Sequence, residues 1–219
     1  MKPPPSAHGV NPELVAIWCA AWARSRGVPP PVEASGAWRT FVGHALEKER
    51  YVFAGLEPDR FRALACRIGE PLVFLKVCAT PAQVLPLLPA HWRLVDRRWM
   101  MAAALDACPS EVHVPPGYTL RIDEEPWGQR VVVFDSGGQT AAWGGLIIEQ
   151  GQAIFDRIGT EEEHRRRGLA TAVMARLTGL AAEQGATRGI LVATDAGRAL
   201  YTPLGWRTLC EYTSAVIPA

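Results

Sequence analysis

The residues best suited to chemistry lie in one short stretch, His164-Arg165-Arg166-Arg167-Gly168-Leu169-Ala170. Three guanidiniums beside a glycine favour a polyanion. An apolar, strand-like run, Ala153–Thr160, precedes the stretch, and Leu169, Val173, Leu177 and Leu180 follow it at helical spacing. The first backbone N–H groups of a helix lack internal partners and carry partial positive charge. Such an end binds phosphate, and Gly168 has no Cβ to keep one away. Taken alone, an arginine-rich turn reads as a solvated loop; its placement between strand and helix points to an anion site. Asp156 is a charge within the apolar strand, an even number of residues from Ile158 and Thr160, so a regular strand puts all three on one face.

The remaining elements are read from the pattern around that turn. Asn11-Pro12 starts a helix through Arg26, with Leu14, Val15, Trp18 and Trp22 on one side. The spacing of Trp38, Phe41, Val42 and Leu46 predicts a second helix over Ala37–Lys48. Strands are expected at Tyr51–Ala54, Pro71–Val77 and Arg93–Met100, with helices after Glu57 and over Pro81–Leu88. Residues 1–12 are expected to be poorly ordered at the start, and Ala102–Glu111 to connect two halves. The second half reads as an antiparallel meander: Tyr118–Ile122, a loop over Asp123–Gly128, Arg130–Phe134, Gln139–Glu149 and Ala153–Thr160, turning at Asp135–Gly138 and Gln150-Gly151. Gly189–Ala193 is a buried strand, Asp195 caps a short helix to about Thr202, and Trp206–Val216 closes the sheet.

The chain has 219 residues, 23 basic and 22 acidic, for a net charge of +1. That balance calls for neither nucleic acid nor an anionic membrane. No apolar run reaches membrane-spanning length, and Met1-Lys2-Pro3-Pro4-Pro5 is not a signal peptide, so a cytoplasmic protein is expected. Cys19, Cys66, Cys78, Cys108 and Cys210 are scattered without a C-x-x-C pair, which argues against a disulfide framework or a zinc site. No metal is expected.

The spacing Arg165-x-x-Gly168-x-Ala170, followed by Thr194–Trp206 with Tyr201, Gly205 and Trp206, resembles the two motifs of the GNAT superfamily of acyl-CoA-dependent N-acetyltransferases. The resemblance covers about residues 116–217. It implies an α/β (α+β) fold with a mixed, mostly antiparallel sheet flanked by helices. It divides the chain into a GNAT domain, residues 116–219, and an N-terminal α/β region, residues 1–115. That region is either a degenerate acetyltransferase-like half or a cap on the acceptor site. The family usually carries one or two helices between its first two strands. Only Asp123–Gln129 is available here, so the N-terminal half or a homodimer partner is expected to complete the acceptor site.

By position, the resemblance makes Arg165, Arg166, Arg167, Gly168, Leu169 and Ala170 the pyrophosphate cradle of acetyl-CoA. It makes Ile158, Gly159 and Thr160 the pantetheine-binding strand end. Asp195 stands where the family often has Asn and is counted with the cofactor-binding residues. Tyr201 falls where the family's tyrosine protonates the departing thiolate; otherwise it packs beneath the cofactor. Amine attack also needs a base. Asp156 is the first choice and Glu149 a weaker one, the plainer alternatives for Asp156 being an ion pair with an arginine such as Arg157 or Arg188, or a solvent-facing edge position. Glu161-Glu162-Glu163 reads as a solvated run beside the arginines. The implied reaction is acetyl transfer to a primary amine of a small molecule, a metabolite, an amino-acid derivative or an antibiotic-like compound, by a monomer or homodimer. Alternatives are a non-catalytic acyl-CoA sensor or scaffold, or a longer donor such as succinyl- or malonyl-CoA.

Overall fold

The computed structural model describes residues 9–105 and 112–219. Residues 1–8 of the expected poorly ordered start, residues 106–111 of the expected connector and Cys108 lie outside them. The chain divides into two compact units. One comprises Met1–Met101, Val192–Thr202 and Arg207–Ala219; the other comprises Ala102–Leu191 and Pro203–Trp206.

The first unit begins with α1, Pro12–Ser25, where the Asn11 side chain accepts from Glu13 N at 3.0 Å. Its apolar stripe buries Leu14, Val15, Trp18 and Trp22. Strands β1 (Val32–Ala34), β2 (Ala37–His44) and β3 (Glu47–Phe53) follow as antiparallel hairpins. The helix expected over Ala37–Lys48 is therefore a hairpin. Ser35 and Gly36 both take positive φ, 57° and 77°, which suits a two-residue hairpin turn. Phe41 and Leu46 are 62% and 72% exposed, so their spacing marked no buried helical stripe.

Helix α2 (Pro58–Arg67) packs Phe61 and Leu64 into one cluster with Leu75 and Val77 of β4 (Val73–Val77). Strand β4 is parallel to β3. Helix α3 (Pro81–Val84) runs into a 3-10 turn, Leu85–Leu87, because Pro86 cannot donate the next helical hydrogen bond. Strand β5 (Arg93–Ala104) comes next. The last strand of the chain, β11 (Arg207–Val216), pairs antiparallel with β4, setting Thr213 opposite Val77 and Ser214 opposite Lys76.

The second unit is the expected meander, with β6 (Tyr118–Glu125), β7 (Gly128–Asp135), β8 (Thr140–Glu149) and β9 (Gln152–Thr160). Helix α4 (Leu169–Glu183) follows, then β10 (Arg188–Ala193), parallel to β9. The loop expected over Asp123–Gly128 shrinks to Pro126-Trp127, since β6 stays paired until Glu125 faces Gly128. Strand β6 is an edge strand, where charges such as Asp123 and Glu124 remain solvated. The result is a mixed α/β fold with a mostly antiparallel sheet and flanking helices.

One pattern occurs twice. Ala79-Thr80-x-Ala82 and Pro89-x-x-Trp92-Arg93 recur at a constant offset as Ala193-Thr194-x-Ala196 and Pro203-x-x-Trp206-Arg207. Thr80 caps α3 through Gln83 N at 3.3 Å, and Thr194 caps α5 (Asp195–Tyr201) through Gly197 N at 3.0 Å. Each short helix gives way to a 3-10 turn, a buried tryptophan and a long strand. Each is also preceded by a parallel strand pair, β3 with β4 and β9 with β10. Between the strands of the first pair there is no arginine turn; Glu57 begins α2 there.

Candidate active site

The arginine turn is built by local chain geometry. After β9, a 3-10 turn covers Glu162–His164. Arg165 is extended, Arg166 takes φ +62°, and Gly168 takes φ +81° as the residue before α4. No side chain caps α4, so its leading N–H groups are available to an external anion. The nearest side-chain atom to a Cβ on Gly168 would be 3.9 Å away, at Pro115. A bare helix N-terminus with guanidiniums beside it fits a pyrophosphate.

The arginines are held differently. Arg165 lies 3.9 Å from Glu162 and reaches the Thr160 carbonyl at 3.5 Å. Arg167 donates to the Tyr118 hydroxyl and to the Glu163 carbonyl, each at 2.9 Å. The Tyr118 hydroxyl is 3.0 Å from Nδ1 of buried His164, whose Nε2 lies 3.7 Å from the Asp135 carboxylate. Asp135 in turn accepts from the N–H groups of Gly137 and Gln139 at 2.9 Å. Tyr118, His164 and Asp135 were not legible as site residues. The only local hint was a histidine adjoining the arginines.

Strand β9 corrects one expectation. Gly159 faces Trp143 across the ladder, yet Asp156 faces Gly145, so β9 carries one extra residue between them. Arg157 takes φ +55° at this bulge. The even spacing that grouped Asp156 with Ile158 and Thr160 no longer holds. Asp156 shares the face of Gly159 and Gly145. Ile158 belongs to the opposite face, where a Cβ on Gly144 would meet Ile158, Val173 and Leu177 within 3.2 Å.

Helix α5 carries Tyr201 and Asp195 in the first unit. Tyr201 is buried, and burial pushes its hydroxyl up to about 12. Asp195 does not cap the helix, because Thr194 does. Its carboxylate instead accepts from Trp99 Nε1 at 2.5 Å and from Arg97 at 3.4 Å. Those contacts hold it below the usual carboxylate range, Trp99 contributing most. The structure thus gathers Ile158, Gly159, Thr160 and Arg165–Ala170 at one end of β9, turns Asp156 to the face opposite Ile158 and Thr160, and engages Asp195 with Trp99 and Arg97. Cys19, Cys66, Cys78 and Cys210 are free thiols. Among the described residues no group of three His, Cys, Asp or Glu is placed to hold a metal ion, and no helix is long and apolar enough to cross a membrane.

Residues 98–206 match the model of the acetyltransferase (GNAT) family, a span containing β9, the arginine turn, α4 and α5. Residues 98–206 belong to the GNAT superfamily. Solved GNAT structures share its fold. A GCN5-related N-acetyltransferase from Kribbella flavida superposes with a TM-score of 0.62 at 19% identity, over 91% of this chain and 96% of that one. Another from Sphaerobacter thermophilus gives 0.61 at 15% identity, over 94% and 92%. A tandem GNAT protein from the clavulanic acid biosynthesis pathway gives 0.58 at 14% identity, over 84% and 79%. At these identities the likeness is one of fold. No curated protein matches the chain. Membership makes this GNAT protein an acyltransferase at the level of the family, and the family's donor is acetyl-CoA.

Proposed function

We propose that this GNAT protein transfers an acetyl group from acetyl-CoA to the primary amine of a small molecule, by direct attack in a ternary complex. The observation that carries the reading is the uncapped N-terminus of α4, led by a left-handed Gly168 and flanked by Arg165, Arg166 and Arg167. Bound coenzyme A thioester supplies an activated acyl carbon. The backbone N–H groups of Gly168, Leu169 and Ala170 hold the pyrophosphate, with the arginines adding charge. Ile158, Gly159 and Thr160 lie along the pantetheine arm. Asp156 takes the proton that the amine loses. Tyr201, kept protonated by burial, gives one to the thiolate as the C–N bond forms and the C–S bond breaks. Asp195, counted with the cofactor-binding residues, also orients α5 through Trp99.

The recurrence of the Thr-capped helix and Trp-Arg strand supports reading the first half as a diverged copy that lacks the anion turn. A cytoplasmic location accords with use of this donor. Calorimetric titration with acetyl-CoA, beside an Arg167→Glu, Gly168→Glu double variant, tests the central claim. Saturable binding that the double variant loses is expected. Failure of the intact protein to bind would overturn the reading, and binding without turnover of any amine would favour an acyl-CoA sensor.

A further inference from the structure

The bulge in β9 assembles an unusual row on one face of the second unit. Trp143 stands opposite Gly159, and Asp156 stands opposite Gly145. A Cβ on Gly159 would fall 2.4 Å from the Trp143 ring, and a Cβ on Gly145 would fall 2.9 Å from the Trp127 ring. Two indoles therefore rest against backbone that only glycine leaves bare, one on each side of the position where the bulge delivers Asp156. Both tryptophans and Asp156 are part-exposed, whereas Ile147 and Ile154, next along the same face, are fully buried. The apolar surface is thus left open at the indoles and closed beyond them.

Two indoles and a carboxylate are the chemistry that receives an ammonium carried on a flat apolar body. The charges in the row narrow the class. Arg130 stands opposite Gly145 on β7, and the Arg157 guanidinium lies 5.7 Å from the Trp127 ring. Their positive charge disfavours a second ammonium and so a polyamine. An amino sugar would need a ring of polar partners where the indoles and glycines stand. We infer that Trp127, Trp143 and Asp156 form the acceptor subsite, and that the acceptor is a monocationic primary amine bearing an aromatic ring. This rests on the acetyl-transfer reading, with Asp156 receiving the ammonium before taking its proton.

The probe is 2-phenylethylamine, titrated calorimetrically into the full chain loaded with coenzyme A, with spermidine and glucosamine as comparators. Phenylethylamine is expected to bind at least tenfold more tightly than either. Trp127→Leu and Asp156→Asn should each weaken its binding about tenfold while leaving acetyl-CoA affinity unchanged, which also shows that the variants are folded. Equal or weaker binding of phenylethylamine than of the comparators, or unchanged binding in Trp127→Leu, would overturn the subsite while leaving the transfer reading intact. Failure of the wild-type chain to bind acetyl-CoA would overturn both.

Discussion

Nε1 of the Trp99 indole donates to Asp195 Oδ1 at 2.5 Å, and the same ring is stacked by Arg198 at 3.8 Å and flanked by Arg97 at 5.0 Å. The first turn of α5, the helix that presents Tyr201, is thereby tied to β5. Trp99→Phe keeps the ring and removes the donor. It should bring the Asp195 carboxyl back toward its ordinary range, measured by NMR titration. Through misplacement of Tyr201 it should lower turnover about tenfold with little change in acetyl-CoA affinity.

Gly168 sits at φ +81°, and a Cβ there would meet Pro115 only in ordinary contact at 3.9 Å, so a substitution is opposed by backbone conformation and not by a clash. Gly168→Ala is expected to cost about 1–2 kcal/mol. Urea denaturation should show that loss, and acetyl-CoA titration should show weaker binding.

Gly159 is the opposite case, open in conformation and closed in space. A Cβ would press on Trp143 at 2.4 and 2.7 Å. Gly159→Ala should destabilise the second unit by about 1–3 kcal/mol through overpacking. A shift in the tryptophan emission of the folded protein would locate the strain at the indole.

Tyr201 bears on the pH profile. Its hydroxyl, raised to about 12, keeps its proton across the working range. Values of kcat/KM should show no descending limb from this group below about pH 10. Tyr201→Phe should depress kcat without altering acetyl-CoA affinity. A basic limb near pH 8 that vanishes in the variant would contradict the burial argument.

Lys76 offers a test of stability. Its ammonium lies 3.4 Å from the Ser214 hydroxyl and 4.6 Å from the Phe74 ring. Burial, then repulsion from Arg50, depresses it from 10.5 to about 8. Between pH 8 and 10.5 the unfolded chain therefore holds the proton that the folded chain has lost, and stability rises with pH. Buried Cys19, Cys78 and Tyr212, whose pKa values are raised, act in the other direction as the unfolded groups ionise, the cysteines already from about pH 8 upward. Between pH 8 and 9 the Lys76 contribution changes by about 1 kcal/mol, and a comparison with Lys76→Met, which keeps the cysteines and Tyr212, isolates it. Chemical denaturation across that window should show the stability of the wild type gaining about 1 kcal/mol relative to Lys76→Met.

Much of this protein follows from residues near one another in the chain. The Asn11 cap, the meander turns at Asp135–Gly138 and Gln150-Gly151, and the passage from β9 through the arginines to α4 are local events. Their spacing in the sequence is enough to specify them. Four features depended on tertiary structure. The Ala37–Lys48 segment carries apolar residues at helical spacing, but Ser35-Gly36 and pairing with β3 make it a strand. The Asp156 face depended on a one-residue bulge, and parity along a strand cannot register an inserted residue. Asp195 found its partners on β5, nearly a hundred residues earlier, and β11 found β4 at still greater separation. Local pattern sets which segments become helix, strand or turn, because those preferences act over a few residues. Side-chain partners and strand neighbours are chosen by burial and hydrogen bonding between distant segments, which only the folded chain brings together.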